Sequence, residues 1–282
     1  MKIGLSKLLL FVALWAFESA QANSFFAFSF GFKGLPVEER VDFLYSTGYD
    51  GIAMNVWNDK LLRDFAEVMA MPVVQSGKFH VFAVYFPFSL NNPKHRSLAS
   101  SILRIGKPQH VPIWLMIKPV DAERQKVIDL IVDICDEAQS FDTKVILYPH
   151  DMSYFESAED TLPVLEALNK KNLFTSIHSN HELRKGNANR LEAAIKKSAP
   201  YLALAALSGA NGGDKINRYS KDWSDVVQPL ADSTFDVHRY YKLLLKYGYT
   251  GPVGLQNFGI PGDPKVHHRE SLKVWRSWNE KN

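Results

Sequence analysis

Three histidines carry the chain's clearest chemistry. His150 closes the run Lys144-Val145-Ile146-Leu147-Tyr148-Pro149, His178 closes Phe174-Thr175-Ser176-Ile177, and His181 follows three residues later. Imidazole titrates near neutrality, so it passes protons, and its neutral form ligates several metals. A His-x-x-His pair beside a third histidine can act as a set of acid/base groups. It can equally hold one divalent metal, zinc or manganese, on three nitrogens with a position left open. Lys118, after Trp114-Leu115-Met116-Ile117, is the fourth catalytic candidate. It would be a base if desolvation lowered its pKa, or a cation for substrate oxygens. Tyr85, Tyr148, Ser208, Asn211, Gln256 and Asn257 offer hydroxyls and amides that orient a substrate without moving protons as an imidazole does. Trp57, Tyr85, Phe86, Phe88 and Tyr154 supply aromatic wall. His267-His268 reads as a surface pair and the single cysteine, Cys135, as a core thiol on the apolar side of a helix.

These residues need elements to bring them together. From Phe25 onward, short apolar runs alternate with amphipathic stretches. The strand candidates are Phe25–Phe30, Gly51–Val56, Phe79–Phe86, Val111–Lys118, Lys144–Tyr148, Leu173–His178, Leu202–Leu207 and Val253–Phe258. Their near-continuous apolarity suits strands covered on both faces. Eight is the number a closed (β/α)₈ barrel requires, and such barrels place catalytic groups at the C-terminal ends of their strands, where these residues fall. Gly48-Tyr49-Asp50-Gly51 and Gly248-Tyr249-Thr250-Gly251 repeat one helix-to-strand turn. Asp121 is read as the start of the helix over 122–141, and Ser157-Ala158-Glu159-Asp160 as a capping box. Residues 88–97 and 211–234 read as long loops, the second as a lid or cleft wall. An open doubly wound sheet also alternates strand and helix, but no G-x-G-x-x-G or G-x-x-x-x-G-K-[ST] follows any run, so no nucleotide cofactor is expected.

The N-terminus sets the compartment. Lys2 and Lys7 precede the apolar run Leu8–Phe17, and Ala20-Gln21-Ala22 offers a small-x-small cleavage pattern. The expectation is a removable signal peptide over 1–22, a TIM barrel over 23–282, and a secreted or periplasmic protein. About ten apolar residues are too few to cross a bilayer, so no membrane span remains after cleavage. The net charge of +3 over 282 residues calls for neither nucleic acid nor an anionic membrane. Nothing in the sequence sets an oligomeric state.

The segments YPHDMSYFESAEDTLPVLEALNKKNLFTSIHSNHELRKGN (148–187), SGANGGD (208–214), QPLADSTFDV (228–237) and GYTGPVGLQNFGIPGDP (248–264) resemble the xylose-isomerase-like barrels, the sugar phosphate isomerase/epimerase group. The resemblance implies a sugar or glycoside substrate. It also implies a divalent metal held by a Glu, the Asp of an Asp-x-x-His motif, a His and a second Glu. Those positions fall here at Tyr148, His178, near Ser208 and at Gln256, and only His181, the histidine of the motif, matches. The two carboxylates that shuttle a proton in such epimerases are absent. The expectation is therefore a secreted sugar isomerase or epimerase with a histidine-rich site. The alternatives are a lyase acting on 3-keto-glycosides by proton abstraction and elimination, and a sugar-binding barrel without catalysis. An endonuclease-like reading lacks its carboxylate cluster and basic groove.

Overall fold

The computed structural model describes residues 23–279 except 33, 213–215, 218 and 219, so the expected leader over 1–22 lies outside the described residues. Eight parallel strands close on themselves in chain order: β1 (Phe25–Phe28), β2 (Gly51–Asn55), β3 (His80–Ser89), β4 (Ile113–Lys118), β5 (Val145–Leu147), β6 (Leu173–His178), β7 (Leu202–Leu207) and β8 (Val253–Leu255). β8 pairs with β1 through Phe25↔Val253 and Ala27↔Leu255, which seals the (β/α)₈ barrel. Around it run α1 (Val37–Thr47), α2 (Asp59–Ala70), a short α3 (Pro72–Gln75), α4 (Lys94–Gly106), α5 (Arg124–Ser140), α6 (Ala158–Leu168), α7 (Ser179–Lys185), α8 (Leu191–Ser198), α9 (Val237–Lys246) and α10 (Pro264–Asn279). Among the described residues, no helix is long and apolar enough to cross a membrane.

Each strand is apolar on both faces because each face meets a different core. Phe25, Ala27, Ile113, Leu115, Val145 and Leu147 point out and pack under the helices. Phe26, Phe28, Trp114, Met116, Ile146 and Tyr148 point in, where Ala53, Ala83 and Ala206 leave room for the large rings. Gly254 belongs to this inner layer. A Cβ there would stand 2.6 Å from the Phe26 ring, so only glycine lets that ring lie flat across the barrel. Inward residues alternate along the strands, interrupted where Phe82 and Ala83 in β3 and Ala203 and Leu204 in β7 adjoin the inner layer in succession beside register shifts. The alternation beyond these points, carried past the strand ends, builds the site.

Local signals account for most boundaries. Gly48 and Gly248 adopt φ of 96° and 81°, closing α1 and the α9 turn as expected of left-handed caps. The Asp160 carboxylate accepts from the Ser157 N–H at 2.9 Å, as the capping box requires. Three expectations need correction. Strand β3 continues through Phe88 to Ser89, leaving only 90–93 as loop before α4, because Ser89 N–H donates to His95 Nδ1 at 2.8 Å and ties strand to helix. Helix α5 begins at Arg124 rather than 122, because a turn over 119–122, closed by Ala122 N–H donating to the Pro119 carbonyl at 3.3 Å, follows the cis Lys118–Pro119 peptide. His268 is buried, stacked on Phe32 with ring centroids 4.0 Å apart, and its Nδ1 lies 2.7 Å from the Pro264 carbonyl.

Candidate active site

At the C-terminal mouth lies a cavity of about 270 Å³, lined by Phe30, Tyr85, Pro87, Met116, Lys118, Tyr148, His150, Asn180, Gln256 and Phe258, with Trp57, His181, Trp223 and Val227 closing its sides. Phe30 continues the inward set of Phe26 and Phe28. Lys118 follows Trp114 and Met116 in the same way, and His150 follows Ile146 and Tyr148. The barrel's period of two thus delivers the cavity wall.

His150 and His181 meet here, with ring centroids 4.1 Å apart. One residue, Asp151, orients both. Its carbonyl lies 2.5 Å from His150 Nδ1, so that nitrogen carries the proton and Nε2 keeps its lone pair. Its N–H donates to His181 Nδ1 over a long 3.5 Å, which leaves the proton on His181 Nε2, 3.1 Å from the Tyr148 hydroxyl. Tyr148 accepts there and retains its own O–H for the cavity. Burial pushes the His150 imidazolium down to about 4, opposed in part by the hydrogen bond to the Asp151 carbonyl and aided by the lesser effects of the Lys118 and Arg184 charges. His181 is driven well down by the same burial, with His150, His178 and Arg184 adding to it. Both rings are neutral at pH 7. Burial holds the Tyr148 phenol well above its ordinary value, so it is a donor and never an anion at neutral pH.

Asp151 is itself held. Its carboxylate accepts from Arg184 Nε at 3.3 Å, and the pair is almost sealed, at 1% and 2% exposure. Arg184 also donates to the carbonyls of Asn217, Ser220 and Asp222 at 2.9, 2.5 and 3.2 Å. Its guanidinium lies 4.3 Å from the centre of the Trp223 ring. Trp223 in turn packs on His150 and His181, at 5.6 and 5.5 Å. Through Trp223 and Val227 the described part of the loop over 211–234 therefore does form a cleft wall, hung on one buried arginine that the sequence reading passed over.

Other expected residues fall elsewhere. His178 does meet His181, with ring centroids 4.8 Å apart, but it is 1% exposed and lies beneath the cavity against Phe28 and Trp114. Neither of its nitrogens has a hydrogen-bond partner, though Asn180 lies near enough to favour its protonated form slightly, and burial lowers it to about 3. Lys118 stands exposed at the rim, where its ammonium can meet substrate oxygens. Ser208 turns away and donates to the Gln256 carbonyl at 2.7 Å, fastening β7 to β8. Asn211 accepts from Gln228 Nε2 at 2.9 Å within the loop. Asn257 is buried but outside the cavity, while Tyr85 and Gln256 line it. Of the aromatic wall, Trp57 and Tyr85 are in place; Phe86 and Phe88 point outward into the helical core, and Tyr154 packs against that core too.

The three-histidine metal centre does not fit this arrangement. A metal needs converging lone pairs, yet His150 Nδ1 and both nitrogens of His181 are engaged, and His178 lies below the cavity. The positions where the resemblance places metal ligands hold Tyr148, His178, Ser208 and Gln256, with no carboxylate to offset a dication, and Gln256 Oε1 already accepts from the Phe258 N–H at 3.1 Å. Among the described residues, no group of three or more His, Cys, Asp or Glu is arranged to hold a metal ion.

No protein-family model matches the chain, and no curated protein matches it. Among solved structures it is similar to the probable 3-DHS dehydratase AsbF of Bacillus anthracis, at 12% identity over 89% of this chain and 98% of that one, with a TM-score of 0.72. It is similar to the IolI protein with a bound zinc atom, at 15% identity over 90% and 96%, TM-score 0.69. It is also similar to the 3-keto-D-glucoside 4-epimerase YcjR of E. coli, at 15% identity over 90% and 99%, TM-score 0.70. Identities this low establish architecture alone: the chain shares the (β/α)₈ barrel fold of these structures.

Proposed function

We propose that this chain is a sugar-directed enzyme of the isomerase, epimerase or lyase type in which the His150 imidazole, unaided by the usual metal and carboxylates, removes a proton next to a sugar carbonyl. The observation that carries this reading is the state of His150: neutral, with Nδ1–H fixed on the Asp151 carbonyl and Nε2 free, in an aromatic cavity. The solved structures it resembles include a 3-keto-D-glucoside epimerase and a probable dehydratase, so the same architecture accommodates substrates named for a carbonyl and a reaction named for elimination.

The lyase form is favoured over the epimerase form by geometry. Inverting a carbon needs acid/base groups on opposite faces of the sugar, and here the two imidazoles touch on one wall. Elimination needs only one base. On a 3-keto-glycoside, the C2–H bond breaks and its proton goes to His150 Nε2. That electron pair forms the C1=C2 bond, and the C1–O bond breaks with its pair on the departing oxygen, which takes a proton from solvent. The Tyr148 O–H supports the carbonyl oxygen as charge develops, Lys118 adds positive charge at the rim, and Tyr85 and Gln256 orient hydroxyls. The action is placed outside the cytoplasm on the strength of the leader-like residues 1–22.

The test is to incubate the protein with methyl 3-keto-glycosides in D₂O and follow C2–H and free methanol by NMR. Wild type should release methanol, and His150→Gln should lose about 10²–10⁴-fold in rate, the usual worth of a positioned base. His150→Gln should also keep its melting temperature. Deuterium at C2 with the glycosidic bond intact would restore the epimerase form. Binding with neither exchange nor release would leave a sugar-binding barrel.

A further inference from the structure

We propose that the groove beside the mouth is a second binding subsite, for a flat aromatic aglycone carried by the sugar that occupies the inner cavity; this rests on the sugar reading above. The groove measures about 510 Å³ and shares Lys118, His150 and Trp223 with the inner cavity, so the two spaces adjoin across these three side chains. The inner cavity alone, about 270 Å³, falls below the ~300–1,000 Å³ of pockets for larger ligands. It takes a single ring. A group joined to that ring at the bond beside His150 must continue into the groove.

The groove's surface selects the chemistry of that group. Seven large apolar side chains stand exposed among the described residues, and four of them ring this mouth. Trp57 and Phe258 line the inner cavity. Val120, 55% exposed, and Met152, 72% exposed, line the groove with Pro119 and the Trp223 ring. A patch of this kind, held open to water at a cost, marks a place where a ligand covers it. Met152 is further notable for φ of 61°, a left-handed backbone that a side-chain-bearing residue rarely adopts. The turn after His150 thus presents a methionine outward where glycine would be easier. A thioether beside an indole is a soft, polarizable seat for an aromatic ring. Ser89, Asn91 and Lys118 also line the groove, where they can meet the hydroxyls of a phenolic ring.

The experiment uses the full chain and unoxidised, hence unreactive, probes: the methyl and 4-nitrophenyl β-glycosides of glucose, galactose, mannose and xylose, titrated by calorimetry. For at least one sugar, the aryl glycoside should bind about five- to tenfold tighter than the methyl glycoside. Met152→Gly, which suits the backbone there, and Val120→Trp, which fills the groove from an exposed position, should each remove that advantage and leave the methyl glycoside's affinity unchanged. Equal affinity of methyl and aryl glycosides in the wild type, or an aryl advantage that survives both variants, overturns the subsite while sparing the inner site. Failure of all eight probes to bind overturns the subsite, and the inner site then stands or falls on methanol release from the methyl 3-keto-glycosides.

Discussion

At the scale of single residues, Asp151 does more than either histidine to define the site. Its N–H and carbonyl fix opposite tautomers on two touching imidazoles, giving His150 a free Nε2 and His181 a protonated one. A consequence follows for pH. Because burial lowers His150 to about 4, kcat/KM should hold level on the acid side until near pH 4, where an unperturbed histidine would fail near 6.5. Lys118→Met removes one of the charges that depress His150, so the acid limb should move toward neutrality; an unmoved limb would take Lys118 out of the electrostatics. Stability has its own sign. His178 and His268, lowered by burial to about 3 and about 4, bind fewer protons folded than unfolded below pH 6.5. Their contribution is full above 6.5 and is lost as pH falls, on the order of 3 kcal/mol for His268 by pH 4. Glu182, raised by burial to about 7, acts in the opposite sense, its contribution fading as pH climbs from 4.5 to 7. Denaturant midpoints across pH 4 to 8 should therefore fall at the acid end, and His268→Phe should flatten that fall.

At the scale of elements, the eight strands and their order were legible because a strand covered on both faces is a short apolar block, and eight such blocks alternate with helices. The inward set was legible as well, but only by counting in twos. Phe26, Phe28 and Phe30, or Trp114, Met116 and Lys118, share one parity, whereas Phe86, Phe88 and Asn257 have the other and so miss the cavity. Residue type drew attention to them; alternation excludes them. Ser208 has the inward parity and still turns away, because the Gln256 carbonyl captures its hydroxyl, a tertiary contact no periodicity contains. The inner layer also makes a stability prediction. Gly254→Ala puts a methyl 2.6 Å from the Phe26 ring and should cost about 1–3 kcal/mol as an overpacked core does. Ser157→Ala, which removes only a cap on α6, should cost about 1 kcal/mol. Urea denaturation compares them, and a Gly254→Ala cost below that of Ser157→Ala would mean the ring has room to move.

At the scale of the whole molecule, the barrel's upper rim is bound into one unit by Arg184, whose side chain reaches Asp151 on one side and the loop over 211–234 on the other. The sequence hid this because Arg184 sits in the polar string His181-Glu182-Leu183-Arg184-Lys185, which looks like an exposed helical turn. Burial of the arginine follows from the loop folding over it. Arg184→Met should destabilise the protein by about 3–5 kcal/mol, since it strands a buried carboxylate. Adding Asp151→Asn should return part of that loss, because the neutral amide no longer needs a counter-charge. A double variant as unstable as the single one would show that the loop contacts, rather than the ion pair, dominate. Arg184 grips the loop through three main-chain carbonyls, which every amino acid possesses, and through one side chain, the Asp225 carboxylate 3.5 Å away. The carbonyls at 217, 220 and 222 are offered by any residue, whereas Ser220 and Asp222 also brace the loop through their side chains, with Asp222 N–H donating to Ser220 Oγ at 3.0 Å and Ser224 N–H to Asp222 Oδ1 at 2.9 Å. With those two braces kept, that stretch becomes a cassette in which new side chains can be installed above a fixed catalytic floor. A library randomised there should keep its fold and redistribute its substrate preferences, while a single exchange at the arginine would unhook the whole cassette.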